Sequence, residues 1–92
     1  MMEGKQVREL EARLKVVITE AITPFFSNKI NQETMGQMEA TISTAIYKHL
    51  DGLGLAIIKH PQIRVKQDDE NPSKVNISIL NEKEFFEGIV PW

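Results

Sequence analysis

Cysteine is absent from this chain, tryptophan and tyrosine occur once each, and no apolar run approaches membrane-spanning length. Each absence closes a class of function. Without thiols there is no disulfide framework, no thiolate nucleophile and no thiolate-held zinc, a composition compatible with a reducing compartment. A membrane helix needs a run of ~18 or more apolar residues, so no membrane partner is expected. The first residues, MMEGKQVREL, are charged and lack the apolar core of a secretory signal. Charge of one sign is lacking too: 11 Lys and Arg stand against 13 Asp and Glu, a net −2, with the cations scattered. Such a balance leaves no electrostatic footprint for nucleic acid.

Catalytic and metal motifs are equally scarce. His49 and His60, the only imidazoles, share no HExxH-like spacing. They read as a dipole-complementing helix end and an ordinary loop residue. GLGLA follows a predicted helix and precedes none, the wrong context for a dinucleotide-binding loop. No serine triad motif occurs. The acidic run Asp68, Asp69, Glu70, Asn71 invites a calcium reading. Counted from Asp68 or Asp69, however, the required glycine falls on Ser73 or Lys74 and the required bidentate glutamate on Ile79 or Leu80. The run reads instead as a solvated hairpin turn, with Asp and Asn side chains bonding nearby backbone and Pro72 fixing its own φ. Glu82 and Glu84 read as solvated charges rather than an acid–base pair. No enzyme, no metal and no cofactor are expected.

What is present is an ordinary globular composition, 41% hydrophobic and 26% charged over 92 residues, the size of a single domain. Val7, Leu10, Leu14, Val17, Ile18, Ala21 and Ile22 recur at spacings of three and four, which predicts an amphipathic helix over residues 5–22. Pro24 disfavours helical backbone at Thr23 and should stop it. PFFSNKIN is then a connector whose Phe25, Phe26 and Ile30 are expected over the helix junction. A second helix starts after Asn31, a good N-cap, with Glu33 in its first turn. Its apolar face is Met35, Met38, Ile42, Ala45, Ile46 and Leu50, and Gly52 is expected to close it in the left-handed conformation. Leu55–Ile58 is a short apolar run, strand or tucked loop.

Two period-two runs follow. Ile63 and Val65 alternate with Arg64 and Lys66, and Val75, Ile77 and Ile79 with Asn76 and Ser78, which predicts a β-hairpin with one apolar face. The fold class is therefore α+β: two amphipathic helices packed on a small antiparallel hairpin sheet, in the order α-α-β-β. Residues 5–80 form the expected folded unit within a single domain, 1–92. The terminal NEKEFFEGIVPW is unusually apolar for a chain end. Residues 81–92 read as a docking arm, on this domain or on another chain.

The segments VVITEAITPFFSNKINQETMGQMEATISTAIYKHLDGLG and IRVKQDDENPSKVNISI resemble the C-terminal domain of contractile phage tail sheath proteins and the related small sheath-initiator proteins of baseplates. The resemblance lies in an apolar helix (Val16–Ile22), a phenylalanine segment (Phe25–Phe26), Asn31, a second helix (Met35–Leu50) and a strand (Ile63–Gln67). An acidic Asn/Pro turn (Asp68–Pro72) and a returning strand (Val75–Leu80) complete it, so that it spans roughly residues 7–80. Full sheath subunits are several times longer, and the Glu-Pro-Arg that leads the strand in initiators stands here as HPQIRV, without the acid.

The resemblance implies a virion structural and assembly protein. Such a protein associates with copies of itself or with tail tube, sheath or baseplate proteins, and is assembled in the host cytoplasm. Its expected mechanism is strand addition, in which an exposed strand edge finds its missing hydrogen bonds in a neighbour's segment. The expected partner-binding residues are Phe85, Phe86, Ile89, Val90 and Trp92 as anchor, with Ile63 and Val65 on the acceptor strand. The alternative is a small regulatory binder, such as a phage-encoded inhibitor of a host protein.

Overall fold

The computed structural model describes residues 4–27 and 29–91. The chain is α+β, as the residue pattern predicts. Helix α1 spans Gly4–Ile22 and runs into a 3-10 turn at Thr23–Ser27, where Pro24 ends the α-helical geometry. Helix α2 spans Gln32–Gly52. Its N-cap is Asn31, in extended backbone, whose Oδ1 accepts from the Thr34 backbone N–H at 2.9 Å and from the Thr34 hydroxyl at 3.0 Å. This satisfies a first-turn donor that would otherwise lack a partner.

At the other end of α2 the expected glycine is displaced by two positions. Gly52 stays helical, and Gly54, at φ 75°, makes the left-handed turn into the next strand. The helix closes through the Leu53 N–H, bonded to the carbonyls of His49 and Leu50, so the reversal falls one step beyond the cap.

Among the described residues, four strands form two antiparallel pairs. β1 (Leu55–Ile57) pairs with β4 (Ile89–Pro91), and β2 (Ile63–Gln67) pairs with β3 (Val75–Ile79) in the expected hairpin, with Val65 opposite Ile77. A short helix, α3 (Glu82–Glu87), connects β3 to β4. The run left open as strand or loop is thus a strand, and its partner is the chain's own tail.

The core is built on α2. Met38, Ile42, Ile46 and Leu50 recur every four residues and are fully buried, facing α1 on one side and β1 and β2 on the other. Leu10, Leu14 and Ile22 of α1 join them, with Phe25 and Ile30 of the connector packed against the cluster and Phe26 left exposed. Phe85 and Ile89, both 0% exposed, and Phe86, at 8%, complete the core. Residues 82–91 therefore belong to the folded unit, which does not end at residue 80. Gly88 permits this docking: a Cβ there would stand 3.1 Å from the Lys59 backbone nitrogen.

Candidate functional site

The placement of the tail changes the reading of the anchor. Phe85, Phe86 and Ile89 are interior residues whose apolar surface is already covered by this chain, so they present no anchor to another. Val90 is half-buried in β4 opposite Ala56. Trp92 lies outside the described residues.

The acceptor strand also changes. In β2–β3, the Leu80 N–H donates to the Gln62 carbonyl and the Asp68 N–H to the Lys74 carbonyl, both at 2.9 Å. These bonds set the alternation of the ladder. Even-numbered residues exchange hydrogen bonds across the pair, and odd-numbered residues turn their N–H and C=O outward. On β2 the central outward donor, the Val65 N–H, is taken by the Glu39 carboxylate of α2 at 2.9 Å. Ile63 and Val65 accordingly line a strand whose central edge donor α2 already occupies.

On β3 the outward groups belong to Val75, Ile77 and Ile79, and no described residue bonds them. Of the other pair, β4 has a partly blunted edge, because Pro91, one of its two outward positions, carries no N–H. β1 has only two outward positions, Leu55 and Ile57. The longest open edge in the described chain is β3.

Beside that edge lies a groove of ≈ 240 Å³ between β3 and α1. Leu14 and Ile18 of α1, Ile77 and Ile79 of β3, and Phe86 of α3 form its apolar lining. Glu11 and Lys15 of α1 and Glu82 of α3 supply its charge. The hydrogen bond to the Glu11 carboxyl, then burial and the Glu11 charge, hold the Glu82 carboxyl above its ordinary value, with Lys15 opposing. Asp68, in the β2–β3 turn, is shifted the other way. The Glu70 and Asn71 backbone N–H groups donate to its Oδ1 and hold it below the usual carboxylate value.

These shifts act in separate pH windows. Because Glu82 binds its proton more tightly when folded, its stabilisation is complete below the ordinary value of 4.5 and is lost as pH rises through the higher folded value. Asp68 contributes stability above 3.8 that is lost as pH falls through its depressed folded value. In thermal melts, Glu82→Gln should therefore match or exceed the unmodified protein near pH 7, and the unmodified protein should gain on it as pH falls toward 4.5. Parallel melting curves across that range would show that the two carboxyls are not linked.

No family model, no curated protein and no solved structure matches this chain. The site is therefore read from its own geometry. Among the described residues no helix is long and apolar enough to cross a membrane, and no three His, Cys, Asp or Glu side chains are grouped to hold a metal ion. The acidic run is the turn its composition predicts: the Asn71 Oδ1 accepts from the Ser73 N–H and hydroxyl, and the Gln67 side-chain amide donates to the Pro72 carbonyl. His49 sits in the last turn of α2, and His60, in the loop after β1, is hydrogen-bonded through Nδ1 to the Tyr47 hydroxyl.

Sequence reasoning missed Asn81. Its Oδ1 accepts from the Gln62 N–H at 2.8 Å and its Nδ2 donates to the His60 carbonyl at 2.8 Å, which ties the segment before β2 to the turn before α3. Asn immediately before an acidic stretch is a helix-start signal, and the glycine after Glu87 a stop signal, so α3 was marked in the sequence.

Proposed function

We propose that this chain is a virion assembly module of the tail sheath or baseplate type, acting by protein–protein association through strand addition at β3. The class rests on the resemblance over residues 7–80. The mechanism rests on one observation: β3 offers three consecutive outward positions that no described residue bonds, while Glu39 of α2 takes the central outward donor of β2. An unpaired edge of this length is a template for another strand, and natural proteins usually blunt such edges with proline, charge or a covering element. Here β2 has its central donor taken and β4 ends in a proline, and β3 has neither device. The partners in this reading are further copies of the chain or other virion proteins, and the chain performs no catalysis.

The test is the mass of the protein in solution, alone and with Ile77→Pro. The Ile77 N–H faces outward, so proline removes an edge donor without breaking a bond to β2. Ile77→Ala controls for the lost side chain. The protein and the alanine variant are expected to form dimers or larger assemblies, and the proline variant to remain monomeric with its hairpin intact by NMR. A stable monomer in every case, or a mass that proline leaves unchanged, would overturn the strand-addition reading and favour a regulatory binder.

A further inference from the structure

The chemistry of the groove restricts what can pair with β3, and the inference that follows rests on the strand-addition reading. A strand added to β3 would run about 4.8 Å from it, on the side where the groove separates β3 from α1. Its residues opposite Ile77 and Ile79 would share their face of the sheet, the half-buried face that packs on the core. Those residues meet Leu14, Ile18 and Phe86, an apolar surface. The groove, at ≈ 240 Å³, lies below the roughly 300–1,000 Å³ of small-molecule sites and matches side chains better than a free ligand.

At the Ile79 end the character changes. Two residues separate Ile79 from Glu82, the first residue of α3, and both line the groove together with Glu11. Glu11 and Glu82 line the groove together, and among the described residues that line it the one cation is Lys15 of α1. The other groups there, Ser78, the isoleucines and Phe86, carry no charge. Once both are ionised, two carboxylates against one ammonium leave an excess negative charge at the mouth of an apolar groove. No third acidic or imidazole ligand joins them among the described residues, which disfavours a metal ion as the missing counter-charge. A lysine ammonium or arginine guanidinium can hydrogen-bond both carboxylates at once, and makes charge-assisted bonds in doing so.

We infer that the β3 groove receives an extended protein segment with apolar residues opposite Ile77 and Ile79 and a lysine or arginine at the Ile79 end, seated between Glu11 and Glu82. The apolar positions supply affinity and the cation supplies register. A one-residue slip turns the apolar residues out of the groove and moves the cation off the carboxylates.

Two synthetic heptapeptides of alternating valine and threonine test this, one with lysine at both ends and one with glutamate at both ends. Binding is followed through the backbone amide NMR signals of the intact protein. The Ile77 and Ile79 amides are expected to shift with the lysine peptide, which should bind roughly three- to fivefold more tightly than the glutamate peptide, the range of partly exposed ion pairs. The preference should vanish in the Glu11→Gln, Glu82→Gln double variant. Equal binding of both peptides with shifting β3 amides, or a preference that survives in the double variant, overturns the cation inference and leaves strand addition standing. If neither peptide moves the β3 amides, both readings fall.

Discussion

A chain ended at Asn81 will not fold. The lost segment carries Phe85 and Ile89, fully buried, and Phe86, nearly so. Truncating a single residue of this kind costs on the order of 2–5 kcal/mol. At ~0.05–0.15 kcal/mol per residue, the whole domain is expected to hold only about 5–14 kcal/mol. Three such losses therefore consume most or all of the margin. The same cut removes β4, the one strand among the described residues that pairs with β1, and leaves the β1 backbone groups of Leu55–Ile57 without their ladder. The expected far-UV circular dichroism is that of an unfolded or molten chain, with no cooperative melt and collapsed amide dispersion in NMR. A truncated protein that melts cooperatively within about 5 °C of the full chain would mean that the tail is dispensable to the core and free to dock elsewhere.

Ile46→Ala should be the most damaging kind of single truncation on α2. Ile46 is 0% exposed and lies on the face that packs against α1 and the strands, so its removal opens a cavity that three elements must collapse to fill. The expected cost is about 2–5 kcal/mol, read as a lower denaturant midpoint at unchanged slope. The contrast is Val16→Ala on α1. Val16 is also aliphatic and also helical, but 56% exposed, and its truncation should fall within about 0.5 kcal/mol of no effect. If the two variants lose similar stability, the core assigned to α2 is misplaced.

Much of the fold was legible because it is written in local periodicity. The spacing of Leu10, Leu14 and Ile22 in α1 and of Met38, Ile42, Ile46 and Leu50 in α2 reports which side of each helix is buried, whatever it is buried against. The alternation through Ile63–Gln67 and Val75–Ile79 reports a hairpin and its inner face. Asn31 and the Asp68–Pro72 turn declare themselves through short-range side-chain chemistry, a cap and a set of turn bonds spanning a few residues. Gly52 and Gly54 show the limit of such local reading. Both are glycines near a helix end, and only the bonds of the closing turn select which one takes positive φ.

The candidate site was less legible, because an edge is defined by what does not bond to it. Nothing local to Ile63–Gln67 announces that Glu39, 26 residues before Val65, occupies its central donor. Nor does anything in Val75–Ile79 announce that no described residue bonds its outward groups. The tail posed a related difficulty: apolar residues at a chain end are equally suited to a neighbour's surface or to their own core, and composition weighs both the same.

Residue order alone dictates two amphipathic helices, a hairpin, an acidic turn without metal-ligand spacing, and an apolar C-terminus in need of cover. Those are properties of neighbours along the chain, set by backbone preference and the side-chain periods of helix and strand. Long-range packing settles that the apolar end covers itself, through β4 against β1 and Phe85 in the core, and that the central edge donor of β2 is taken while those of β3 are not. Those outcomes depend on which distant groups meet, and burial and hydrogen-bond satisfaction are settled over the whole fold at once.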